Sequence, residues 1–185
     1  MGEDLKAQLE KLYPMLVGGA KHPPYCDLCV TECYARFCND LANRRFCDPR
    51  GTVVPIYLEN FPKLLGMKIA DPKSGKLRKA KASRVLEKLR EGTFRDDEYV
   101  IEKGRIRTLF WIPDVIVNPD AIHPNSHPIV DGDEVYVKRY AKDGSEVKLV
   151  VLGPSKYGSR IIITSFLTEA RDLEHYIGMP AIWEK

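Results

Sequence analysis

The sequence predicts an α+β fold, with helices first and a small antiparallel sheet last, and three observations carry that expectation. Apolar residues recur at helical spacing early in the chain, at Leu5, Leu9, Leu12 and Leu16 and again at Leu77, Val85, Leu86 and Leu89. Three short runs rich in β-branched and aromatic residues, Glu134 to Tyr140, Val147 to Leu152 and Arg160 to Phe166, crowd the later part. Asp143-Gly144 separates the first two of these runs and is the strongest hairpin signal in the chain, because both central positions of a tight hairpin turn need left-handed backbone. Helices followed by a meander, rather than alternating with strands, argue against a parallel sheet.

Each element has its own warrant. Asp4 to Leu16 reads as a helix that Gly18 and Gly19 end. A cysteine-rich stretch follows from His22 to Pro49. Val53 to Leu58 reads as a strand, broken by Asn60-Phe61-Pro62, and Lys63 to Met67 as a short helix before the Asp71-Pro72 turn. Ser74 to Gly92 predicts a helix capped by Ser74. Asp96 to Val117 predicts another, bent or restarted at Pro113 and stopped by Asn118-Pro119-Asp120. The expected organisation is a helical, cysteine-rich segment over 1–50, a catalytic or binding domain over 51–170 and a tail over 171–185.

Of the 185 residues, 44% are apolar, enough to build a core and to argue against wholesale disorder. No run of about 18 apolar residues exists, so no membrane span is expected. Met1 to Met15 lacks the basic start and apolar middle of a signal peptide, so the chain is expected in the cytoplasm with reduced thiols. Net charge is only +3, but its distribution is uneven. Lys63, Lys68, Lys73, Lys76, Arg78, Lys79, Lys81 and Arg84 share their stretch with a single acid, Asp71. A basic block in a nearly neutral chain is an electrostatic footprint for phosphate, set against the plainer reading of a solvated, lysine-rich surface.

All five cysteines fall between Cys26 and Cys47, and His22 precedes them by four positions. Cys26 and Cys29 form a Cys-x2-Cys pair, whose short loop lets two thiolates grip one ion. The expected ligands are Cys26, Cys29, Cys38 and Cys47, with Cys33 or His22 as substitutes. Structural zinc is expected ahead of an iron–sulfur cluster, and ahead of buried thiols or disulfides.

Arg105-x5-Trp111, Ile112-Pro113, the Asn118-Pro119-Asp120 stop, Val135-Tyr136-Val137-Lys138-Arg139, Leu149-Val150-Val151 and Ile162-Ile163-Thr164-Ser165-Phe166 follow one another in an order that resembles the phage-associated nuclease domains of the barnase–EndoU–colicin–RelE group. Glu59-Asn60-Phe61-Pro62-Lys63-Leu64-Leu65-Gly66 is similar to a segment near the start of some of these nucleases, with Lys63 where a histidine is usual. The likeness covers Val53 to Thr168 and leaves out the cysteine segment. It implies helices packed on a small antiparallel sheet, catalytic residues on an exposed sheet face, and a toxin-type, metal-independent endoribonuclease with RNA as substrate and a neutralising protein as a possible partner. It also favours Arg105, Lys138 and Thr164 as site residues, with Tyr140 nearby.

Metal-independent cleavage uses the 2′-hydroxyl of RNA as nucleophile. The protein must move its proton, protonate the leaving 5′-oxygen and stabilise charge on phosphorus. Arg105 and Arg107 begin a predicted helix, near its positive end. Lys138 and Arg139 alternate across a strand, as do Thr164 and Ser165, so one of each pair can serve a given face. His123 and His127, in a proline-rich loop, are candidate acid–base groups, and Lys63 and Lys68 are candidate phosphate contacts. Trp111 reads as core. The alternative is a non-catalytic, zinc-containing nucleic-acid-binding module that binds through the basic stretch.

Overall fold

A computed structural model of the chain describes residues 30–101, 105–129, 131–140, 144–154, 160–178 and 180–185, with only the backbone at Arg107. The protein is a mixed α+β chain whose residues group into two compact units. The first takes in residues 30–42 and 57–107, and the second 43–56 and 108–185. The boundary expected at residue 50 therefore falls inside a hairpin. The helix expected over Asp4 to Leu16 lies outside the described residues.

The first unit holds α1 (Val30–Asp40), α2 (Asn60–Leu64), α3 (Ala82–Glu91) and a three-stranded sheet. Its core is aromatic. Phe61 is fully buried, its ring 5.3 Å from that of Tyr34 and 5.2 Å from that of Phe37, with Leu64, Leu65, Val85, Leu86 and Leu89 also buried. Pro62 sits in the first turn of α2, where a missing N–H costs nothing, so the helix begins at Asn60 rather than at Lys63 as expected. The helix expected from Ser74 starts only at Ala82. Asp71 is the reason: its Oδ1 accepts from the N–H groups of Lys73 and Ser74, both at 3.0 Å, and Gly75 takes φ 67°, so the chain reverses instead of coiling. The reversal joins β3 (Lys68–Ala70) to β4 (Leu77–Lys79), and β3 pairs also with β5 (Tyr99–Val100), giving the order β4-β3-β5. Gly92, left-handed at φ 70°, closes α3 by returning its N–H to Leu89.

The second unit is built on a five-stranded antiparallel sheet. After α4 (Arg105–Thr108), a 3-10 turn (Leu109–Trp111) leads into α5 (Ile112–Val117), and Pro113 does mark a restart at the first turn. The strands are β6 (Ala121–Pro124), β7 (Glu134–Tyr140), β8 (Glu146–Pro154), β9 (Arg160–Glu169) and β10 (Trp183–Glu184), in the order β10-β6-β7-β8-β9. The three expected strands are β7, β8 and β9; Tyr140 pairs with Glu146, so five residues connect β7 to β8, and Gly144 among them takes a left-handed φ of 69°.

Two further strands lie outside that expectation. β6 runs into Pro124, and β10 is two residues long, so neither shows a period-2 signal. The expected tail at 171–185 is integral to the unit. Leu173, in a 3-10 turn (Ala170–His175), packs with Val135, Val137, Val147, Leu149 and Val151, and β10 pairs with β6. On the other face of the sheet, Ile122, Tyr136, Lys148, Val150 and Leu152 are buried, with α5 against β7 and β8. A separate hairpin, β1 (Arg44–Cys47) with β2 (Val53–Ile56), belongs to this unit, β2 lying against β9. The sheet is thus covered on both faces over its central rows, and the open catalytic face implied by the resemblance is not formed there. No helix among the described residues is long and apolar enough to cross a membrane.

Candidate functional site

The basic stretch folds into an exposed surface of the first unit. Lys63 is exposed on α2, every residue of β4 is exposed, and Lys73, Lys76, Lys81 and Arg84 are exposed around it. Lys68 on β3 stands directly across the ladder from Lys79 on β4. Arg78 reaches back to Asp71 at 3.4 Å, a solvated pair that contributes little to stability. The acid count of the sequence carries over into space: the hairpin is cationic, and Asp71 is turned into its own Asx turn.

Within the second unit, the residues proposed for catalysis are divided between the two faces of the sheet. Lys138 and Tyr140 share a face of β7 and meet at Asp114 of α5. The Lys138 ammonium donates to Asp114 Oδ1 at 3.1 Å and to the Asn118 carbonyl at 2.6 Å, and the Tyr140 hydroxyl donates to Asp114 Oδ2 at 2.6 Å. Trp111 is half-buried with its ring 4.3 Å from that of Tyr140, so it is a wall of this cluster rather than core. Burial first, then the bond to Asp114, pushes the Tyr140 phenol far above its ordinary range, so it acts as a donor and not as a base.

Arg139 and Thr164 lie on the opposite face, as the register Arg139↔Val147 and Val151↔Thr164 requires. Ser165 shares the face of Lys138 but is buried, so its hydroxyl cannot meet a bound phosphate. Arg105 belongs to the first unit, where its guanidinium donates to the Leu64 carbonyl at 3.4 Å. The Arg107 side chain lies outside the described residues.

Neither histidine sits in a free loop. His123 is buried in β6, and its Nδ1 donates to the Gly178 carbonyl at 3.0 Å, fixing the tautomer. His127 stacks on Tyr176 at 4.9 Å, and its Nδ1 accepts the Ile129 N–H at 3.2 Å. Both are engaged by backbone groups through Nδ1.

A network the sequence reading missed joins the β1–β2 turn to β7. Arg50 donates through Nη1 and Nη2 to the Glu134 carboxylate at 3.1 and 2.9 Å, through Nη2 to Asp48 at 2.9 Å, and to the Tyr136 hydroxyl at 2.7 Å. Tyr136 in turn donates to Asp48 Oδ2 at 2.6 Å, and Arg160 pairs with both Asp133 and Glu134. Asp48-Pro49-Arg50-Gly51 is legible as a turn, but nothing local says that its arginine meets a glutamate 84 positions later.

Burial alone would raise the Asp48 carboxyl. Hydrogen bonds from Tyr136, from the Thr52 amide and from Arg50 outweigh it and hold the group below the usual carboxylate range. A carboxyl that ionises more readily folded than unfolded stabilises the fold above its unfolded value of about 4 and loses that contribution as pH falls through the lower, folded value. Acid unfolding of the wild type should therefore steepen below about pH 4. Asp48→Asn should flatten that limb and lower stability at neutral pH, measured by circular dichroism across pH. Identical limbs for the two proteins would exclude Asp48 as the source.

Among the described residues Cys33, Cys38 and Cys47 are in no disulfide, and no three His, Cys, Asp or Glu side chains stand close enough to hold a metal. Cys26, Cys29 and His22 lie outside the described residues. Cys33 and Cys38 are both buried on α1 and, five residues apart, point about 140° from each other around the helix, so they cannot share one ion while α1 is intact. Burial pushes the Cys38 thiol up, and Tyr34 bonds to it. Cys47 is exposed on β1 in the second unit. In comparisons with protein-family models, curated proteins and solved structures, nothing matches this chain.

Proposed function

We propose that this protein binds nucleic acid, with RNA as its substrate class, through the cationic hairpin β3–β4 and the start of α3. The observation that carries the reading is the exposure of that hairpin: Lys73, Lys76, Arg78, Lys79, Lys81 and Arg84 are exposed along one short piece of chain, with Lys68 half-buried across the ladder from Lys79. Lysine and arginine on such a surface neutralise phosphates and release counterions, so binding should weaken steeply with salt. A 2′-O-methyl RNA oligomer, which cannot be cut by its own 2′-hydroxyl, is the suitable probe. Reversing three charges together (Lys76→Glu, Arg78→Glu, Lys79→Glu) should lower affinity at least tenfold and flatten the salt dependence in proportion to the phosphates no longer neutralised. Unchanged affinity would remove the hairpin from the interface. In this reading the stretch from His22 to Pro49 carries a structural zinc, checked by elemental analysis of the purified protein, where less than a tenth of an equivalent counts against it.

A second reading adds cleavage, and the meeting of Lys138, Tyr140 and Asp114 favours it, together with the resemblance to the barnase–EndoU–colicin–RelE nucleases. The ammonium is the donor for a phosphate and the acid for the leaving 5′-oxygen, the half-exposed carboxylate beside it is the proton acceptor for the 2′-hydroxyl, and the phenol, whose one O–H goes to that carboxylate, holds it in place. Attack of that oxygen on phosphorus breaks the bond to the 5′-oxygen, which leaves with a proton from the Lys138 ammonium, and a 2′,3′-cyclic phosphate remains. RNA should then be cut in the presence of chelator, and Lys138→Ala should slow the reaction by about 10²-fold or more. Thr164→Ala should leave the rate unchanged, since Thr164 lies on the other face of the sheet. Cleavage that vanishes with chelator and returns with magnesium contradicts this second reading.

A further inference from the structure

The small sheet β4-β3-β5 has one face whose chemistry is more specific than a basic patch. Alternation along the strands, together with the pairings Lys68↔Lys79, Ala70↔Leu77 and Lys68↔Val100, places Lys68, Ala70, Leu77, Lys79 and Val100 on the same side. Ile69, Arg78 and Tyr99 take the other, where Tyr99 is buried and stacked on Phe94 at 4.9 Å. The first face is open, with Leu77 52% and Val100 48% exposed beside Ala70 and Lys79, which are exposed as well.

Two features of that face call for a ligand of one kind. Lys68 and Lys79 lie directly opposite each other across the ladder, close enough for both to flank one phosphate. Three aliphatic side chains stand around the two ammonium groups, two of them large and half-exposed. A duplex presents phosphates but keeps its bases stacked inside, and so would leave Leu77 and Val100 in water. A single strand presents phosphates and unstacked bases together.

We infer that this face docks a single-stranded segment of nucleic acid, with a backbone phosphate across Lys68 and Lys79 and bases lying on Leu77, Ala70 and Val100. The inference rests on the nucleic-acid-binding reading above and names the form of the ligand. Val100 lies outside the basic stretch, so nothing in the charge pattern assigns it.

The test compares a 2′-O-methyl uridine oligomer of about 12 nucleotides with a duplex of equal length, by fluorescence anisotropy at several salt concentrations. The single strand should bind at least tenfold more tightly. Leu77→Ser with Val100→Ser should erase most of that preference while leaving the salt slope unchanged, and both positions are exposed, so circular dichroism should show an intact fold. Lys68→Ala and Lys79→Ala should each reduce the salt slope by about one. Equal affinity for the two forms, or a preference untouched by the double serine variant, overturns this inference and leaves the parent reading standing. Failure of both probes to bind removes the parent reading itself.

Discussion

Arg50→Ala is expected to destabilise the second unit by about 3–5 kcal/mol, the cost of removing one partner from a buried ion network. Asp48 and Glu134 are both buried, and in the wild type the arginine fork supplies donors to each carboxylate and to the Tyr136 hydroxyl between them. Without it, Glu134 keeps Arg160, while Asp48 keeps the Tyr136 hydroxyl and two backbone N–H groups but no cation. Hydrogen bonds alone leave the buried negative charge uncompensated, which is why the loss should exceed that of an exposed pair. Arg50→Lys should recover only part of it, because an ammonium keeps the charge but cannot reproduce the fork. Removing Asp48 as well should cost less than the sum of the two single changes, since the residues share one network. Urea unfolding followed by circular dichroism reads all three. A loss under 1 kcal/mol for Arg50→Ala would mean that the network is solvated and carries no stability.

Phe61→Ala should cost about 3–5 kcal/mol in the first unit, by lost burial and by the cavity left behind. The ring is fully buried and meets both Tyr34 and Phe37 edge-on or tilted, so no neighbour on α1 can collapse into the space without giving up its own packing. Phe61→Leu should cost appreciably less, as more of the volume is kept. Because marginal domains hold only about 5–15 kcal/mol in total, the alanine variant should lose much of its expression yield as well as its midpoint. If it unfolds at the wild-type urea concentration, Phe61 is not the centre of that core.

The phosphate-binding proposal does not depend on either of these, since Arg50 and Phe61 lie outside the hairpin. Both variants, where folded, should keep the salt-dependent affinity of the wild type, and this separates loss of stability from loss of the interface.

The chain's own order of residues was enough for the α+β class and for the three long strands, because period-2 alternation and a glycine turn are local properties that survive any packing. It was enough, too, for the cationic stretch, since charge on an exposed hairpin is decided by composition. It did not reveal that residues 74–81 reverse as a hairpin, where the Asx turn of Asp71 competes with helix formation. Nor could it reveal which face of β7 would be buried. Tyr136 and Lys138 occupy the same face, yet Tyr136 is sealed beneath Arg50 while Lys138 reaches Asp114 at the sheet's end. Those outcomes depend on partners tens of residues away, Arg50 with Glu134 and Asp114 with Lys138, and such pairings are settled only when the whole core closes around them. For that reason the type of each strand was legible in advance, while the gathering of site residues was a property of tertiary structure alone.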